Sequence, residues 1–91
     1  MRSQEVILIE IFTSPVCSRC RRTIEKIREY VKNYPVPVQV EERDVLSYFK
    51  EATRIGVYAT PAIVINGQLV YRGPISRQKL MQFLNEITNV K

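Results

Sequence analysis

The chain has no histidine and no tryptophan, and its 91 residues include only two cysteines, Cys17 and Cys20. The lack of histidine excludes Ser-His-Asp triads, Cys-His nucleophile pairs and histidine-containing metal sites built from one chain. The two cysteines must therefore perform their chemistry without an imidazole.

Long hydrophobic runs are also missing, since no stretch approaches the ~20 apolar residues that span a membrane. The N-terminal apolar run, Val6 to Phe12, is interrupted by Glu10, and the cysteine pair follows it where a secretory signal would have a small-residue cleavage site. We therefore expect a cytoplasmic protein that does not bind membranes. In that reducing compartment a cysteine pair is more often catalytic or metal-binding than structural.

Positive charge is concentrated beside the cysteines. The segment 17–32 holds six cations and two acids, which accounts for +4 of the net charge of +5. Such a segment can stabilise a thiolate, steer acidic partners, attract phosphates or form a solvated helix face, and we do not expect nucleic-acid binding. The six cations are Arg19, Arg21, Arg22, Lys26, Arg28 and Lys32.

The first half of the chain predicts a strand, a helix and a second strand. Val6–Phe12 is nearly continuous and β-branched, as in a strand buried on both faces. From Cys17 to Val31, apolar residues recur in steps of three and four, which predicts an amphipathic helix that ends before Pro35. Val36–Glu41 alternates valine with other residues, which predicts a strand with one covered face.

The second half predicts a short helix, a hairpin and a last helix. The short helix runs from about Ser47 to Gly56, with Phe49 and Ala52 inward. Asn66-Gly67 is the sequence of a type I′ turn and would join strands 62–65 and 68–71. Ser76 can cap the last helix, which would extend to Val90. Its apolar face would carry Leu80, Phe83, Leu84, Ile87 and Val90.

The element order is therefore β-α-β-α-β-β-α in an α/β fold. The first two strands should be parallel because a helix connects them, and the last two antiparallel because a tight turn does. We expect one domain, residues 1–91, with a four-stranded mixed sheet flanked by three helices, and we expect it to be a monomer.

The spacing of the two cysteines suits reversible disulfide formation. Three residues apart in the first turn of a helix, their Cα atoms would lie about 5–6 Å apart, within disulfide range. The helix N-terminus and the neighbouring Arg19 favour a thiolate at Cys17, whereas Cys20 should be more shielded. Cys17 would attack a substrate disulfide, and Cys20 would resolve the mixed disulfide.

Other roles for a CxxC pair stay open. Zinc would need two further ligands, from carboxylates or from a second chain, and Cu(I) would suit a carrier similar to the heavy-metal-associated copper chaperones. Those chaperones close with a strand, whereas this chain is predicted to close with a helix. An iron–sulfur-binding module, or two cysteines buried as small hydrophobic residues, are the remaining alternatives.

Two motifs resemble the thioredoxin superfamily, in its compact glutaredoxin-like form. Phe12–Cys20 is similar to the glutaredoxin pattern of an aromatic residue, Thr, Ser or Lys, Pro, any residue and CxxC. The second motif, Ala59–Gly67, follows forty-odd residues later, and the resemblance runs from Val6 to about Val90. It implies a protein disulfide oxidoreductase that acts in electron transport and cell redox homeostasis. Its substrates would be protein disulfides, and it would need no cofactor beyond its redox-active disulfide.

The resemblance also assigns roles outside the CxxC motif. It implies that Pro61 is cis and faces the cysteines, and that the backbone of Thr60 binds the substrate chain. The glutathione-binding features of glutaredoxins are poorly matched, since Ser14 stands where a lysine is common. A flavoprotein reductase of the thioredoxin-reductase type is therefore expected as electron donor.

Glu10 has two interpretations. Thioredoxins carry a buried acid in this strand that accepts a proton from the resolving cysteine, but aligning Glu10 with it requires a loop one residue longer before Cys17. The alternative is an acid that reaches solvent or pairs with a nearby lysine or arginine.

Overall fold

The computed structural model describes residues 6–88 and has the predicted order of elements. The strands and helices are β1 (Ile7–Thr13), α1 (Cys20–Tyr30), β2 (Val38–Asp44), α2 (Phe49–Ile55), β3 (Ala62–Ile65), β4 (Gln68–Arg72) and α3 (Arg77–Thr88). The strands form one mixed sheet in the order β2-β1-β3-β4. No helix in this part of the chain is long and apolar enough to cross a membrane.

Strand β1 is central and buried on both faces, as its β-branched run predicts. It pairs in parallel with β2 and antiparallel with β3, and Ile9 and Ile11 are both 0% exposed. Ile9 and Ile11 pack with side chains of α1 and α3, whereas Phe12 packs with Ala52 of α2. Helices α1 and α3 therefore cover one face of the sheet, and α2 covers the other.

The Asn66-Gly67 turn is confirmed. Both residues have positive φ, 50° and 84°, as a type I′ turn requires. Asn66 also bonds to the first strand: its Oδ1 accepts a hydrogen bond from the Leu8 N–H at 2.9 Å, and its N–H donates to the Leu8 carbonyl at 2.8 Å. The turn thus fixes the β3–β4 hairpin to the start of β1.

The first helix is shorter than predicted. Its first residue is Cys20 rather than Cys17, because the Cys17 N–H donates to the Ser14 carbonyl at 3.1 Å and closes a turn that contains Pro15. Proline sets the backbone angle that such a turn needs at its second position. The helix also ends at Tyr30, several residues before Pro35.

Two residues predicted to lie in the core, Phe49 and Ile87, are exposed. Phe49 is 66% exposed, because it is the first residue of α2 and helical side chains point toward the N-terminus, where no earlier turn of α2 lies beside it. Ile87 is 43% exposed in the last turn of α3. The expected cap of α3 is confirmed, since the Lys79 N–H donates to Ser76 Oγ at 3.1 Å. Val90 lies outside the described residues.

Candidate active site around the Cys17–Cys20 pair

Cys17 and Cys20 form a disulfide, with their Cα atoms 5.5 Å apart as the spacing predicts. Cys20 begins α1 and is 4% exposed, whereas Cys17 lies in the preceding loop and is partly exposed. A reagent in solvent therefore reaches the sulfur of Cys17 more easily than that of Cys20.

The start of α1 is electropositive. Its N-cap residue, Arg19, makes no side-chain hydrogen bond to the first turn, and the first turn contains no acid. The first backbone bond of this helix runs from the Thr23 N–H to the Arg19 carbonyl at 3.0 Å. The backbone N–H groups that precede Thr23 in the helix are therefore available to stabilise a negative charge on Cys20 or on Cys17, its disulfide partner.

A cleft of about 330 Å³ opens beside the disulfide. The charges of the side chains that line this cleft cancel, since two are arginines and two are glutamates. Glu42 accepts a hydrogen bond from Thr13 Oγ1 at 3.2 Å. The cleft is lined by Thr13, Ser14, Cys17, Cys20, Arg21, Ile24, Glu25, Arg28 and Glu42.

Sequence reasoning missed Glu42 because it ended the second strand at Glu41. In the structure β2 continues to Asp44, and Glu42 lies opposite Ile11 of β1 in the parallel register. The alternation of Val38, Val40 and Glu42 on one face was the signal that could have found it.

The Thr60–Pro61 loop meets the cysteine loop at the same end of the sheet. The peptide bond between Thr60 and Pro61 is cis, as the resemblance implies, and Pro61 is fully buried. The Thr60 hydroxyl donates to Ser14 Oγ at 3.4 Å, and Ser14 lines the cysteine cleft. The fold therefore brings together two motifs that lie more than forty residues apart in sequence.

Glu10 lies on the other face of the sheet from α1. Its neighbours Ile9 and Ile11 pack toward α1, so alternation directs Glu10 toward the α2 face. There it is 5% exposed and pairs with Arg43, whose Nε lies 3.0 Å from Glu10 Oε2. This placement corresponds to the ion-pair interpretation of Glu10.

Arg43 connects two carboxylates that face each other across β1 and β2. Its Nη1 lies 3.8 Å from Glu41 Oε1, and its guanidinium lies over the Tyr48 ring, 5.1 Å from the centroid. Burial lowers the pKa of Arg43, but the hydrogen bond and the charge of Glu10 outweigh it and the pKa is raised overall. Arg43 therefore stays charged and neutralises this buried acid.

Arg19 does not line the cysteine cleft. Its side chain borders a different crevice on the other flank of α1, whereas Arg21 and Arg28 reach the cleft. Any effect of Arg19 on Cys17 comes from its charge near the start of the helix.

The mixed sheet and the disulfide at the start of α1 define the class of thiol–disulfide oxidoreductases with a thioredoxin fold, and comparison with known proteins agrees. The family model described as "Thioredoxin domain" matches residues 7–85. A probable thioredoxin of Methanothermobacter thermautotrophicus is 37% identical over 81 residues, covering 89% of this chain and 95% of that protein. The thioredoxin of Methanocaldococcus jannaschii is 31% identical over 80 residues, covering 88% and 94%.

Solved structures agree on the fold. The first thioredoxin domain of mouse protein disulfide-isomerase A4 has a TM-score of 0.71 at 26% identity, covering 90% of this chain and 63% of that one. Oxidised thioredoxin from Plasmodium falciparum has a TM-score of 0.66 at 21% identity, covering 89% and 80%. The chain belongs to the thioredoxin family and is a disulfide oxidoreductase.

Proposed function

We propose that this protein reduces disulfides in partner proteins, with Cys17 as the nucleophile and Cys20 as the resolving cysteine. The observation that carries this assignment is the unequal exposure of the pair: Cys20 is 4% exposed, and Cys17 is partly exposed. An incoming disulfide can approach Cys17 but not Cys20.

The proposed cycle balances as two thiol–disulfide exchanges. The Cys17 thiolate attacks one sulfur of the substrate disulfide, forms a mixed disulfide and releases the other substrate sulfur as a thiolate, which takes up a proton. Cys20 loses its proton, attacks Cys17 Sγ and releases the second substrate thiolate. The substrate gains two electrons, and the Cys17–Cys20 disulfide that results is the form in this structure.

The same two exchange steps, with a donor dithiol as the attacking group, reduce the Cys17–Cys20 disulfide and return the protein to its active form. A donor dithiol attacks the accessible Cys17 sulfur, releases Cys20 as a thiolate, and its second thiol then displaces Cys17. We propose a flavoprotein of the thioredoxin-reductase type as this donor, because Ser14 and the loop 73–76 poorly match the glutathione site of glutaredoxins. Isomerisation of substrate disulfides would start from the same mixed disulfide.

Thr60 is proposed to bind the substrate backbone. Within residues 6–88 its own N–H and C=O make no hydrogen bond, whereas the Pro61 carbonyl already accepts one from the Gly73 N–H at 2.7 Å. Both polar groups of Thr60 are thus available to an extended chain at the end of the sheet, in the manner of an added strand. Pro61, which is fully buried, fixes the position of the Thr60 backbone.

The electrons are proposed to be carried on the cysteine pair itself, without a further cofactor. We also propose that the protein is a monomer. We place it in the cytoplasm, because a reducing compartment keeps the cysteine pair available for turnover.

The reduction potential of the Cys17–Cys20 pair tests this function. We expect a reversible two-electron transition between about −300 and −120 mV on equilibration with defined thiol/disulfide buffers, the span of catalytic dithiols and disulfides. A value near the negative end would support reduction of partners, and one near the positive end would indicate oxidation. If no reversible couple is found, a Cu(I) or zinc carrier becomes the better proposal, and stoichiometric copurified metal that is lost on substitution of either cysteine would identify it.

Replacing Arg19 by glutamate tests the proposed tuning of Cys17. The change puts a negative charge beside the start of α1, so it should shift the pH midpoint of Cys17 alkylation in the reduced protein upward by about half a unit or more. Alkylation rates with iodoacetamide across pH 4–10 measure this, and Lys50→Glu on α2 is the control of equal charge change. An unchanged profile in the Arg19 variant would remove Arg19 from the tuning residues.

A further inference from the structure

Helix α1 divides its cations between two flanks. On one flank, Arg21 and Arg28 line the cysteine cleft together with two glutamates. On the other, Arg19, Arg22 and Lys26 border a crevice of about 260 Å³ into which no acidic side chain of residues 6–88 projects. Only the first flank is balanced by charges of the protein itself.

The three cations of this crevice share one helix face, at spacings of three and four residues. All three side chains are exposed, and none forms an ion pair within residues 6–88, where both ion pairs belong to Arg43. Arg22 and Lys26 are like charges at i and i+4, a placement that destabilises a helix. Their charge is therefore available to a partner.

The rest of the crevice lining is mostly apolar. It consists of Pro74 and Ile75, in the loop before α3, and Thr23 of α1; Ile75 is 5% exposed and Thr23 is 4% exposed. An occupant thus needs negative charge that meets the cations and some apolar surface against Ile75 and Pro74, which a polypeptide offers and a bare phosphate backbone does not.

The crevice begins one residue from the disulfide in sequence, since Arg19, which borders it, directly precedes Cys20. Thr23 lies one turn beyond Cys20, and Lys26 lies six residues beyond it, or about 9 Å along the helix at about 1.5 Å per residue. An extended chain covers that distance in about three residues. A substrate cysteine bonded to Cys17 would therefore bring residues two to four positions away within reach of the cations.

From this charge complementarity we propose that the crevice of Arg19, Arg22 and Lys26 receives an acidic segment of the protein substrate, two to four residues from its disulfide cysteine. The inference rests on the proposed reductase function and names its preferred substrate class: disulfides flanked by aspartate or glutamate. Contact between the acids and the cations speeds formation of the mixed disulfide and leaves its chemistry unchanged.

Three synthetic disulfide peptides test the proposal with the 91-residue protein. They are identical except that positions two to four from the cysteine, on both sides, are glutamate, glutamine or lysine. We expect kcat/KM to be about five-fold higher for the glutamate than for the glutamine peptide at low salt, and lower for the lysine peptide. The ratio should approach one in 1 M NaCl, where the Debye length is about 3 Å.

Two variants of equal net charge locate the effect. Arg22→Gln/Lys26→Gln should bring the glutamate-to-glutamine ratio close to one, whereas Lys50→Gln/Arg54→Gln, also at i and i+4 but on α2, should retain it. A ratio that survives in the α1 variant would overturn the proposal, because the preference would then come from another part of the protein. A ratio that falls equally in both variants would overturn it in favour of steering by total charge.

Two further outcomes are distinguishable. If none of the peptides is reduced, the proposed reductase function fails; if all are reduced at equal rates, only the acidic preference fails. Binding of a single-stranded oligonucleotide at 0.15 M salt that requires Arg22 and Lys26, without any peptide preference, would assign the crevice to nucleic acid instead.

Discussion

Replacing Cys17 by serine is expected to lower kcat/KM for disulfide reduction by at least about a thousand-fold, to the uncatalysed background. A serine hydroxyl does not ionise near neutral pH, and Cys20 is 4% exposed, so no other thiolate can reach the substrate disulfide. Reduction of a disulfide-linked fluorescent peptide measures the loss.

In the complementary variant, Cys20→Ser, Cys17 should still attack the substrate disulfide, but the mixed disulfide should not be resolved. A covalent adduct between Cys17 and the substrate should accumulate, detectable as an intact mass that dithiothreitol releases. Circular dichroism of both variants checks that each is folded. Adducts on Cys20 in the Cys17→Ser protein, together with loss of turnover and no adduct in Cys20→Ser, would reverse the two roles.

Replacing Glu10 by glutamine is expected to lower the free energy of unfolding by about 2 kcal/mol. The amide keeps the size of the side chain but removes the charge that Arg43 faces at 3.0 Å, and a hydrogen bond to a charged group contributes about 1.5–3 kcal/mol. Urea denaturation of the oxidised protein measures the change. Glu41→Gln is the matched control: its carboxylate is 3.8 Å from the same guanidinium and its side chain is 38% exposed, so loss of this charge should cost less than about 1 kcal/mol.

The same variant separates the two interpretations of Glu10. Because Glu10 lies on the face opposite α1, resolution of the mixed disulfide by Cys20 should proceed within about two-fold of the wild-type rate. Normal stability with resolution slowed more than ten-fold would instead identify Glu10 as the proton acceptor.

Features set by neighbouring residues were predictable from the sequence. The Asn66-Gly67 turn, the serine cap of α3 and the 5.5 Å spacing of the cysteine Cα atoms depend on interactions within a few residues, and all three are confirmed. The order of the elements followed from hydrophobic periodicity for the same reason. The start of α1 was missed because a proline-containing turn competed with the helix for Cys17.

The sequence alone thus determined the elements of this protein, the reactive pair and its chemistry. Only the tertiary structure decided which charges surround that pair. The parallel register of β1 and β2 places Glu42 in the cysteine cleft and Arg43 against Glu10, and the loop before α3 forms a crevice with Arg19, Arg22 and Lys26 but not with Arg21 or Arg28. Strands joined through a helix have no turn to set their register, so packing of the whole sheet determines it, and a shift of one residue would exchange every side chain between the two faces.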